Sequence, residues 1–175
     1  PAAIIGFLLR NLVNEWLGSI VIVAWALILG GVVLIASDYY FKSTYDTGKS
    51  LDDLNTRESF YLGLFQCLAL IPGVSRSGAT ILGGLALKFN KKAAAEFSFF
   101  LAVPTITAAT LYKSYKIIPT ITSDQIFSLA LGCILSFIIA IIAIKTFIKL
   151  VSRYGFKFFG IYRILLGALI LIVIK

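Results

Sequence analysis

Long uncharged runs alternate along the chain with short polar segments, and the length of each run decides what it can be. Residues 17–36 carry no charge. At about 1.5 Å per helical residue, that run can cross a hydrocarbon core of about 30 Å. Residues 126–144 and 158–174 have the same character apart from Arg163, and each predicts another spanning helix. Residues 1–9 read as the end of a helix and 10–15 as a polar break, with Trp16 as an interface anchor. The polar stretch 38–57, with Asp46, Gly48, Asp52, Asp53 and Asn55, predicts a water-exposed loop whose end caps the next helix.

The next apolar run, 60–71, stops at Pro72-Gly73 and is too short to span. After the polar turn 72–78 comes a second short run, 79–87, followed by Lys88, Lys91 and Lys92. Two half-length helices around a polar elbow predict a re-entrant hairpin over about 58–88. Asn90 is a candidate N-cap for a helix that runs through Pro104, with a kink there, to about Leu111. Residues 145–157, with Lys145, Lys149, Arg153 and Lys157, read as a loop. If the hairpin enters and leaves on one face, ten cations of loops 38–57, 88–92 and 145–157 share a side. Only Arg10, Lys113, Lys116 and Lys175 then lie opposite. The positive-inside rule puts the larger set in the cytoplasm.

Composition agrees with this layout. Of 175 residues, 59% are hydrophobic and mean hydropathy is +0.97, values of an integral membrane protein. The expected fold class is all-α, a polytopic membrane helical bundle forming a single transmembrane region over 1–175. The 16 Lys and Arg outnumber the 8 Asp and Glu, but they form no basic stripe or nucleic-acid motif, so no nucleic-acid partner is expected. Cys67 and Cys133 lie in apolar runs without companions and read as free thiols; there is no histidine, so neither a Ser-His-Asp triad nor a histidine metal site can be built from these residues. No metal ligands are expected within the segment. A start at Pro1 and the absence of methionine lead us to expect the C-terminal part of a longer chain. A homo-oligomer is compatible with the sequence.

The candidate chemistry is concentrated at residues 71–80. An arginine at membrane depth needs a partner or a water-filled cavity, and a phosphate would supply one. The Arg76 guanidinium is a planar fork matched to phosphate oxygens. Ser75, Ser77 and Thr80 can donate hydroxyl bonds to the same anion, Gly73 and Gly78 let backbone amides approach, and a helix starting near Ser77 adds its positive end. The structural alternative pairs Arg76 with Glu96 and leaves the serines as caps. Ala79, Gly83 and Gly84 read as packing residues. Glu96 and Arg163, with Gln66 as a neutral companion, are candidate supporting residues; a mutual Glu96–Arg163 pair holding the bundle together is the alternative. Tyr39, Tyr40, Tyr112, Tyr115 and Tyr154 read as interface belt residues. A broken helix with a polar elbow also suits a secondary transporter of an anionic or lipid-phosphate substrate, and a structural subunit without a site is the third reading.

The stretch 65–70 leading into PGVSRSGAT at 72–80, together with 95–99, 101–104, 143–147 and Ile161-Tyr162-Arg163, resembles the undecaprenyl-diphosphate phosphatases of the bacitracin-resistance type. The resemblance implies a multi-pass enzyme of the bacterial plasma membrane that converts undecaprenyl diphosphate to undecaprenyl phosphate and phosphate. That step recycles the carrier lipid for peptidoglycan synthesis, and excess enzyme gives bacitracin resistance. It implies that Arg76 binds the diphosphate with Ser75, Ser77 and Thr80 lining the site, and, joined to the reading of the elbow, gives Arg76 and Ser75 as expected catalytic residues and Gly73, Ser77, Gly78 and Thr80 as substrate-binding. It also implies a divalent cation, Mg²⁺ or Ca²⁺, with ligands outside this segment. The family's first motif, a glutamate-rich stretch leading to Pro-x-Ser-Ser-x-Gly-His, is absent from this sequence. The family fold looks like two inverted halves that each bring one hairpin to a shared site.

Overall fold

The structure, a computed structural model, describes residues 1–42, 45–117 and 121–174, and side chains for all of these except 123 and 124. Lys175, counted above on the sparsely charged side, lies outside the described residues. The helices are α1 (Ala2–Leu8), α2 (Arg10–Leu17), α3 (Ile20–Tyr40), α4 (Thr56–Gln66), α5 (Arg76–Ala86), α6 (Lys91–Ile117), α7 (Ser123–Tyr154) and α8 (Lys157–Val173), with no strand among the described residues. α3, α6 and the Gln125–Tyr154 part of α7 are long and apolar enough to cross a membrane. The chain is an all-α membrane protein.

Several boundaries differ from those read in the sequence. Residues 10–15 are helical, because scattered polar side chains do not break a helix; the break falls at Gly18 and Ser19, whose hydroxyl caps α3 by accepting from the Ile22 N–H at 3.4 Å. Residues 145–154 continue α7 instead of forming a loop. Lysine is a good helix former whose stem can lie along apolar surface, and the first helix breaker is Gly155, with φ +74°. For the same reason α6 continues past Leu111 to Ile117, and Pro104 lies inside it.

α4 and α5, 11 residues each, are joined by a 3₁₀ turn over Cys67–Leu70 and the elbow that follows. Lys49 ties both outer ends together. Its amide donates to Lys88 O at 2.8 Å just past α5, and its ammonium meets Glu58 Oε1 at 2.5 Å in the first turn of α4. That ammonium holds the Glu58 carboxyl below the usual carboxylate range. The hairpin therefore leaves one end of the molecule and returns to it, with the elbow at the far tip. On its inner face Gly83 abuts the Phe65 ring and Gly84 abuts Ala94 of α6, where an added Cβ would lie 2.6 and 2.7 Å away.

α3 and α8 pack along their length by close backbone approach. A Cβ on Gly31 would lie 2.6 Å from Gly160 O, and one on Gly167 would lie 2.7 Å from Ala24 O. Asp38, read from sequence as the start of a loop, is instead in the last turn of α3 and caps α8. Its carboxylate accepts from the Phe156 N–H at 2.8 Å, from the Lys157 N–H at 2.6 Å and from the Tyr45 hydroxyl. Asp38→Ala leaves those donors without their acceptor, and an unfolding free energy lower by about 3 kcal/mol is expected in denaturant titrations. Burial and the adjacent Asp38 carboxylate hold the Tyr45 phenol well above its ordinary value. The folded state thus keeps a proton that the unfolded chain gives up above about pH 10, so stability falls as pH rises past that point. Tyr45→Phe should flatten this alkaline limb in a pH series of thermal melts.

Candidate functional site

The elbow is built by residues that leave the backbone few choices. Gly73 has φ +91°, a region costly to side chains, and a Cβ there would lie 2.7 Å from Val23 O of α3. Ser75 is the N-cap of α5, its Oγ accepting from the Gly78 N–H at 3.1 Å, and Ser77 Oγ is 3.1 Å from Ser75 Oγ. With its own oxygen serving the cap, the Ser75 hydroxyl retains a hydrogen to donate. The positive end of α5 is thus at the elbow.

Two cavities meet here. The larger, about 470 Å³, lies between α3 and the hairpin and is walled by apolar side chains such as Trp25, Leu29, Leu68 and Leu82. The smaller, about 270 Å³, is lined by Ser75, Ser77, Tyr162 and Arg163 among phenylalanines of α7 and α8. Ser75, Gly78, Leu34 and Arg163 line both. An apolar trough therefore runs into a smaller compartment whose largely apolar walls carry three hydroxyls and one guanidinium.

Helical spacing divides the elbow motif between two faces. Ser75, Gly78, Ala79 and Leu82 form one stripe of α5, on the wall of the larger cavity. Arg76 and Thr80, four apart, form the neighbouring stripe, which faces α6. Arg76 Nη1 donates to Ser98 O at 3.4 Å. The Thr80 hydroxyl is fully buried, 2.7 Å from Ser98 Oγ and 3.1 Å from the carbonyls of Arg76 and Ser77. Neither residue lines either of these two cavities.

Neither arginine meets Glu96, so both carboxylate pairings weighed in the sequence are absent. Glu96 lies 3.8 Å from Lys92 one turn away on its own helix. Arg163 instead reaches from α8 to the elbow, where Nη2 donates to Gly73 O at 2.8 Å and to Ala26 O at 3.3 Å. Gln66 is buried at the end of α4 and lines neither cavity. Tyr162 and Arg163 share a compartment with Ser75 and Ser77, a placement that neither the charge inside an apolar run nor the match of Ile161-Tyr162-Arg163 to the family specifies. Among the described residues no three of Asp, Glu, His or Cys gather to hold a metal ion. The compartment's guanidinium offers only donors and its hydroxyls can donate beside it, an arrangement that suits an anion.

Known proteins are similar to this chain in sequence. It is 58% identical over 174 residues to an undecaprenyl-diphosphatase of Bdellovibrio bacteriovorus, an alignment covering 99% of this chain and 66% of that protein. Undecaprenyl-diphosphatases of Porphyromonas gingivalis and Campylobacter jejuni are 48% and 44% identical, over 98% and 95% of this chain and 61% and 62% of their own lengths. The chain thus spans just under two thirds of the length of these relatives. The family described as bacitracin resistance protein BacA matches residues 1–169, and the chain belongs to it.

Proposed function

We propose that the protein containing this chain hydrolyses undecaprenyl diphosphate to undecaprenyl phosphate and inorganic phosphate in the bacterial plasma membrane, recycling the carrier lipid for peptidoglycan synthesis and conferring resistance to bacitracin. The observation that carries this reading is the junction of an apolar trough with a compartment holding Ser75, Ser77 and Arg163 at the tip of the hairpin. A prenyl chain suits the trough, and a diphosphate suits the compartment. The relatives bear the name of an enzyme, and nothing in them favours the transporter alternative.

The net reaction adds water across the bridging P–O bond. In this chain's share of it, hydroxyls, guanidinium and the amino end of α5 hold the diphosphate and meet charge that spreads over the phosphoryl oxygens as the bond breaks. Arg76, which the family resemblance assigns to the diphosphate, stands one residue from Ser75. Activation of the nucleophile is assigned to the glutamates and histidine of the family's first motif. The divalent cation implied by the resemblance has no ligand set among the described residues, so no step is routed through one. The loops at the outer ends of the hairpin join those at the ends of α3 and α7, gathering Lys42, Lys49, Lys88, Lys91, Lys92, Arg153 and Lys157 at one end of the bundle. By the positive-inside rule that end is cytoplasmic and the elbow opens toward the other side.

Purified full-length protein given undecaprenyl diphosphate in detergent should release inorganic phosphate with undecaprenyl phosphate as co-product. Passage of an anion across vesicles without hydrolysis would sink the proposal.

A further inference from the structure

Arg163 is a partly buried cation without a counter-ion. The ion pairs among the described residues are Lys49–Glu58, Lys91–Asp46 and Lys92–Glu96, and none includes it. One terminal nitrogen is fixed on the carbonyls of Gly73 and Ala26, while Nε is buried with no partner among the described residues. Carbonyl dipoles do not neutralise a charge, and a guanidinium at membrane depth with unused N–H groups calls for an anion. The fold keeps space for it: a Cβ on Gly30 of α3 would lie 2.8 Å from Arg163 Nη2. The same side chain lines both cavities beside Ser75, whereas Arg76 lines neither.

We propose that Arg163, carried by the last helix, is a direct diphosphate ligand of this site, offering its remaining N–H groups together with the hydroxyls of Ser75 and Ser77 to phosphate oxygens. This rests on the phosphatase reading and adds to it a binding residue outside the elbow motif. The grip on Gly73 O orients the fork, so anion binding and elbow position are linked through one side chain.

Two variants separate charge from space. Arg163→Gln removes the charge and, ending where Nε stands, also the reach to the Gly73 carbonyl, whereas Gly30→Ala keeps the charge but intrudes on Nη2. In the full-length protein, KM for farnesyl diphosphate and Ki for inorganic pyrophosphate should both rise about 10- to 100-fold in Arg163→Gln, the loss of a charge-assisted bond. Gly30→Ala should shift both constants in the same direction with an unfolding temperature near that of the wild type. Wild-type KM and Ki in both variants would overturn the assignment. If Arg163→Gln does not fold, Gly30→Ala decides alone: raised constants support the assignment and unchanged ones overturn it. Pyrophosphate binding that depends on Arg163 in a protein releasing no phosphate would sink the phosphatase and leave this inference standing. Phosphate release indifferent to both variants would do the reverse.

Discussion

Valine in place of Gly73 should lower phosphate release by the full-length protein about 100-fold or more, the effect of moving catalytic groups by about 1 Å. Three costs fall on this position. A β-branched residue at φ +91° is strained; its Cβ would meet the α3 backbone, 2.7 Å from Val23 O and 2.9 Å from Val23 Cα; and the carbonyl that holds Arg163 is its own. Backbone of a packed helix cannot give way as a flexible side chain can, so the elbow must move. The strain amounts to about 2–5 kcal/mol and should appear as a lower unfolding temperature. Gly132 on α7 is the matching control, since nothing lies within 4 Å of a Cβ built there. Gly132→Ala should leave turnover unchanged and stabilise the helix by about 0.5–1 kcal/mol. A Gly73→Val protein with wild-type turnover and melting would contradict the account of the elbow.

With Arg76 in the role that the family resemblance assigns to it, a charge on the diphosphate, Arg76→Ala should reduce kcat by about 100- to 1000-fold. Lysine should recover little, because an ammonium lacks the planar fork. The structure adds a way to tell how Arg76 acts. The one hydrogen bond described for its side chain, 3.4 Å to Ser98 O, is long and ties the start of α5 to α6. If that tie were its whole contribution, Arg76→Ala would melt earlier and Arg76→Lys would regain both stability and turnover. The account expects instead that stability is nearly kept while kcat falls in both variants, as read from melts and steady-state kinetics together.

Local signals in the sequence reach as far as the elbow. Pro72-Gly73 after a run too short to span, and a second short run after it, foretell two half-helices, because helix length and breakers act locally. The family resemblance points to the same residues. What local signals do not carry is direction: within PGVSRSGAT, Ser75 and Gly78 turn toward the cavities, while Arg76 and Thr80 turn toward Ser98, a split fixed by the helical period and by where α6 packs. Arg163 reads in the sequence as a candidate supporting residue but without its place, because its partner carbonyl on Gly73 is 90 positions away and the contact depends on α3 and α8 meeting through glycines. Asp38 was misread for the same reason, since its ligands are the amides of Phe156 and Lys157. The end of the apolar run at Ile144 does not end the helix, because the lysines that follow are helix formers with apolar stems.

The central claim is that the hairpin tip, and not the lysine-rich end, receives the diphosphate. A structure of the full-length protein with methylene diphosphonate, a non-hydrolysable analogue, tests it most directly. The account predicts the anion in the smaller compartment, about 3 Å from the Ser75 and Ser77 hydroxyls and the Arg163 guanidinium. Density for the analogue among Lys42, Lys88 and Lys157, with none between Ser75 and Arg163, would contradict it.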